Sequence, residues 1–130
     1  MSEETTRMQA QKVVDEQKRW LVEQGDEIGR QAKDNGDWKS QIRTIWEAAR
    51  TETEPQVLLN LLRYQVARND NWRSPQDVFQ PLRKAIDKCV EETAGDPAVA
   101  MTLIRHLLAY TYRSYTYYEK GWKEESEEVS

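Results

Sequence analysis

The chain has almost none of the side chains that carry chemistry. One cysteine, Cys89, and one histidine, His106, stand among 130 residues. A lone cysteine excludes an internal disulfide framework. With one histidine and one cysteine there is no pair at metal-ligand spacing, and no Glu-x-x-His motif of the kind a helical di-iron bundle needs. No glycine-rich phosphate loop occurs among the five glycines. No apolar run approaches the roughly 18 residues that cross a bilayer, so no membrane partner is expected. The opening MSEETTRMQAQK has no apolar stretch after a basic start, unlike a signal peptide, and a cytoplasmic location is the default expectation. Period-two alternation is also missing, which argues against strands.

What is present is charge and helical periodicity. Charged residues make up 32% of the chain and hydrophobic residues 38%, a balance that suits one domain of long, solvated helices. The net charge of −4 is unevenly spread. Residues 1–38 hold six basic and nine acidic residues, and residues 124–130 add four glutamates. Between them, Lys39 to Lys123 carries thirteen basic and ten acidic residues. A mildly basic body between acidic ends holds a polyanion if its charges share a face; otherwise they only solvate helix surfaces.

The apolar spacing predicts an all-α bundle of about four to five helices. The first runs from about Thr5 to Lys33, with Val14, Leu21 and Ile28 seven apart; Gly25 and Gly29 weaken its later turns. Residues 1–37 are therefore expected to form an acidic helical segment ordered only against a partner. The bundle proper spans 38–120, and 121–130 reads as an acidic, disordered tail. A second helix, about Trp38 to Thr51, is capped by Asp37 and presents Ile42, Ile45, Trp46 and Ala49. A third opens at Pro55, with Val57, Leu58, Leu61, Leu62 and Tyr64 on its inner side. Ser74-Pro75-Gln76-Asp77 reads as a capping box for a fourth. Phe79, Leu82, Ile86, Cys89 and Val90 form its stripe, and Pro81 either follows a short turn or kinks it. Gly95-Asp96-Pro97 divides it from a last helix, about Ala98 to Lys120. There Ala100, Leu103, Ile104, Leu107, Leu108, Tyr115 and Tyr118 form the buried stripe.

No catalytic residue, cofactor or metal site emerges. Cys89 reads as a packing residue on an apolar stripe, and His106 falls beside the apolar stripe of its helix. What remains is arginine interleaved with aromatics; the guanidinium fork matches phosphate oxygens and its plane stacks on bases. On the last helix Arg105, Ala109, Tyr112 and Arg113 fall on one side, open to a phosphate backbone or to another protein. The tyrosine-rich AYTYRSYTYY suits a packing surface between copies equally well.

Four motifs occur in an order that resembles a known family. Ser40-Gln41-Ile42-Arg43-Thr44-Ile45-Trp46 resembles the Ser-x-Leu-Arg-x-Ile-Tyr opening of the small helical subunit of type III-A CRISPR effector complexes, the Csm small subunit. Tyr64-Gln65-Val66-Ala67-Arg68 resembles that family's Tyr-x-x-Gly/Ala-Arg helix end. Phe79 to Val90 is similar to its following helix, and Leu107-Leu108-Ala109-Tyr110 to the Ile/Val-Val-Ala-Tyr of its last helix. The match covers roughly Lys39 to Tyr118. It departs where family members place basic residues before the matched tyrosine: Asn60 and Leu61 stand there, with Arg63 the nearest substitute. The resemblance implies a non-catalytic subunit of a type III RNA-guided complex, packed as several copies beside other subunits and touching the CRISPR RNA–target RNA duplex. Arg43 and Arg68 carry over as RNA-facing residues; Arg63, Arg105 and Arg113 are added from facial geometry. The alternative is a helical adaptor that binds only protein through its tyrosine-rich last helix.

Overall fold

The computed structural model describes residues 3–34, 39–68 and 75–120. They form five α-helices and no strand: α1 (Glu3–Asp34), α2 (Lys39–Ala49), α3 (Pro55–Arg68), α4 (Pro75–Glu92) and α5 (Pro97–Glu119). The chain is an all-α bundle. The expected caps at Asp37 and Ser74 and the tail 121–130 lie outside the described residues. No described helix is long and apolar enough to cross a membrane.

The central element is a pair of parallel helices, α1 and α5. Val14, Leu21 and Ile28 recur every seventh residue, and all three are buried with Ala10 and Ala32. That stripe lies on α5, where Ala100, Leu103, Ile104, Leu107 and Leu108 are buried. The first helix was expected to order against a partner; its partner is α5 of the same chain. The two glycines that weaken its intrinsic helicity are what lets α5 approach. A Cβ on Gly25 would stand 2.6 Å from Tyr110 Cβ, and one on Gly29 would stand 2.8 Å from both Thr111 O and Tyr115 N. Helix propensity is sacrificed at two positions to bring two backbones together.

The remaining helices run against this pair. Helix α2 returns antiparallel to α5, tied by Lys39 Nζ to Glu119 Oε1 at 3.1 Å and by the Trp46–Tyr112 stack at 5.2 Å. Helix α4 is antiparallel to α1, with Gln17 reaching Glu92 and Lys88 Nζ lying 4.7 Å from the Trp20 ring centroid. It continues through Pro81 in a single helix, with no separate short turn in the described part. Cys89 is fully buried beneath it.

The α4–α5 turn follows from its capping chemistry. Gly95 N–H donates to Val90 O and Ala94 N–H to Glu91 O, the paired bonds of a Schellman motif. The left-handed position is held by Ala94 at φ 53°, followed by Gly95 at φ 78°. Asp96 then caps α5, its carboxylate accepting from Ala98 N and Val99 N, with Pro97 in the first turn.

Two expectations about inner faces need correction. On α3 the buried residues are Pro55, Leu58, Leu59 and Leu62, with Leu61 partly buried, whereas Val57 is 51% and Tyr64 56% exposed. Among the described residues α3 touches the bundle through one strip, and Val57 and Tyr64 fall outside it. On α5, Tyr118 is half-buried and donates its hydroxyl hydrogen bond to the Asp26 carboxylate at 3.1 Å.

Candidate nucleic-acid interface

The arginines expected to face RNA have different fates. Arg43 stands on the outer side of α2, its side chain 62% exposed, with Nε 3.1 Å from Glu47 Oε1 one turn on. Ile42 and Ile45 on either side of it are buried, so the helix fixes the outward direction. Arg63 is exposed on α3 beside exposed Tyr64. The Arg68 side chain lies outside the described residues.

Arg105 is engaged elsewhere. Its Nε donates to Ala49 O at 2.7 Å and its Nη2 to Glu52 O at 3.1 Å. These are carbonyls at and just beyond the end of α2, groups that have no partner inside the helix. Half-buried, Arg105 therefore caps α2 and fastens the α2–α3 connection onto α5. The side of α5 read as open is the side that α2 covers, since Tyr112 is stacked on Trp46 there. Arg113 alone of that group is exposed, and it turns away from Tyr112, its Cζ 5.7 Å from the Tyr110 ring centroid.

Around Tyr110 the structure gathers residues that helical spacing on α5 alone did not unite. His106, Tyr110 and Arg113 follow one another at steps of four and three along α5, and the His106 and Tyr110 rings are 6.3 Å apart. Lys18, on the α1 helix packed against α5, is close enough for its charge to act on the His106 imidazole. Burial lowers the His106 imidazole below its ordinary range, and the charges of Lys18 and Arg113 push it the same way. No carboxylate acts on it in the opposite sense. The α5 half of this group was readable from a helical wheel. Lys18 was not, because its place depends on how closely α1 crosses α5.

The reactive-group inventory can be weighed geometrically. Burial pushes the Cys89 thiol up to about 12, so at neutral pH it is held as the thiol, the form that is not a nucleophile. Among the described residues no three His, Cys, Asp or Glu side chains group as metal ligands would. Two surface grooves among the described residues differ in lining. One lies between α1 and α4, bounded by Trp20, Gln24, Pro81, Lys84 and Lys88. Another lies at the α4–α5 turn, between Lys12, Val13, Glu16, Ala94 and Val99. Both are open troughs rather than enclosed cavities.

Comparison with protein-family models, with characterised proteins and with solved structures finds no match to this chain.

Proposed function

We propose that the chain is a non-catalytic small subunit of a type III RNA-guided effector complex. In this reading several copies pack along the complex in the cytoplasm and touch the CRISPR RNA–target RNA duplex through basic helix faces. The support is the family-like order of motifs, with one motif falling on each of α2, α3, α4 and α5. The observation that carries most weight is Arg43. It occupies the arginine position of the first motif, and its side chain stands in solvent while the flanking apolar residues anchor the helix. Its ion pair with Glu47 is exposed and i to i+4, a weak contact that a phosphate can displace.

A duplex is gripped chiefly through its phosphates, so affinity would come from arginine and lysine with little sequence preference. Arg43→Ala and Arg68→Ala in the assembled complex are expected to weaken target-RNA binding alike for different guides. Each phosphate left without its cation should flatten the salt dependence by roughly one unit of slope. Lys12→Ala, outside the matched region, is the control. Normal assembly with unchanged affinity and slope for both arginine variants would sink the reading.

The adaptor reading, in which the tyrosine-rich last helix binds protein, draws on a different observation, the exposed Tyr117 on α5. It predicts that Tyr117→Ala abolishes a protein contact while the arginine variants are silent toward RNA. Tyr112 is a poor probe for it, being stacked beneath α2.

A further inference from the structure

The α1–α5 seam sets exposed cations beside two aromatic rings. Its cations lack counter-ions: neither Lys18 nor Arg113 has a carboxylate within salt-bridge distance among the described residues. Arg43, Arg83, Arg30 and Lys39 all have one. Lys18 and Arg113 are exposed, His106 and Tyr110 half-buried, so the charged groups stand at the rim and the rings form the floor. The four residues come from two helices locked together by the Gly25 and Gly29 approach, so the seam is rigid before any ligand arrives. Gathering like charges without neutralisation is unfavourable in the free protein and becomes favourable when an anion enters.

We propose that Lys18, His106, Tyr110 and Arg113 form a seat for the phosphodiester backbone of RNA, across the α1–α5 seam. Lys18 and Arg113 supply charge from the two sides. The His106 N–H donates to a phosphate oxygen, and the Tyr110 ring offers a face to a sugar or base. Arg113 over Tyr110 already shows the cation–ring geometry that a stacked base would extend. The seat deepens the RNA-contacting reading and rests on it for the choice of RNA over other polyanions. It also brings α1, which has no place in the family-like motifs, into the contact.

The test uses the only histidine of the chain, whose imidazole resonances report the seam directly. The full-length chain is titrated with a short single-stranded oligouridylate and followed by NMR. The His106 ring signals are expected to move saturably. Lys18→Ala with Arg113→Ala should abolish that movement and lower the salt slope by roughly 0.7 for each phosphate no longer neutralised. Lys12→Ala, outside the seat and outside the matched motifs, should leave it intact. RNA that shifts backbone amides elsewhere while His106 stays still would overturn the seat and leave the subunit reading standing. Movement of His106 by polyglutamate but not by RNA would overturn it in favour of an acidic peptide, and no response to RNA anywhere would overturn it outright. Failure of the chain to assemble with type III subunits would overturn the subunit reading, yet saturable movement of His106 by RNA would still uphold the seat.

Discussion

Helices α1 and α3 are held to the bundle in opposite ways. Helix α1 meets α5 backbone to backbone, with Gly25 and Gly29 leaving no room for even a methyl group. Helix α3 reaches the core through side chains, chiefly Leu58, Leu59 and Leu62 with Leu61 and Val66 beside them, and leaves Val57 and Tyr64 in solvent. Close backbone contact fixes a helix rigidly but fails abruptly when a single atom is added. Attachment by side chains is tolerant on its outer face and depends on a few anchoring points.

Adding one carbon at the tightest point should break the first kind of attachment. In Gly29→Ala the gain in helix propensity, about 1 kcal/mol, opposes a clash with backbone atoms of α5 that cannot rotate away. Overpacking of this kind costs typically ~1–3 kcal/mol. The clash is expected to win, and urea unfolding should show a lower midpoint; an unchanged or raised midpoint would mean that the helices part easily. Arg105→Ala should act on the other attachment, leaving two carbonyls at the end of α2 short of donors, at a cost of ~1–3 kcal/mol. Hydrogen exchange should then quicken in α3 more than in α1. Equal quickening everywhere would show that Arg105 does not fasten α3 in particular. Tyr64→Ala, on the free face of α3, should change stability by less than about 0.5 kcal/mol.

The smallest effect concerns the seam itself. Burial and two cations lower the His106 imidazole in the folded protein. The unfolded chain therefore takes up the proton first as pH falls below about 6.5. Its contribution to stability is whole above that value and declines toward the lower folded value. His106→Gln should flatten the decline between neutral pH and the range where carboxylates titrate. A steeper decline in the variant would place His106 in a different environment.

The sequence made the helices legible because their apolar spacing is local information. The 3.6-residue period and the breaks at Pro55, Gly95 and Pro97 placed α3, α4 and α5 closely. Cys89 was legible as a packing residue for the same reason. What a single helix pattern does not contain is which sides of it meet which neighbours. Gly25 and Gly29 looked like weak points because their benefit lies on α5, more than 80 positions away. Arg105 looked like a ligand for phosphate because nothing on α5 shows that α2 ends beside it. Val57 and Tyr64 extended a plausible stripe, but a helix attached by one narrow strip buries less than its apolar content allows. Arg43, Arg63 and Arg113 are exposed, as a helical wheel suggests, while the grouping of Lys18 with His106 required the fold.

The parallel course of α1 and α5 gives the molecule an electrical direction. Each helix carries partial positive charge at its amino end and partial negative charge at its carboxyl end, and two long helices side by side in the same sense add rather than cancel. Antiparallel α2 and α4 offset part of that sum, but they are shorter, at 11 and 18 residues against 32 and 23. Side chains answer the remainder. Asp96 meets the amino end of α5, and Lys33 and Lys39 lie toward the carboxyl ends of the pair. Copies arranged head to tail would bring unlike ends together, whereas copies arranged head to head would oppose like ends.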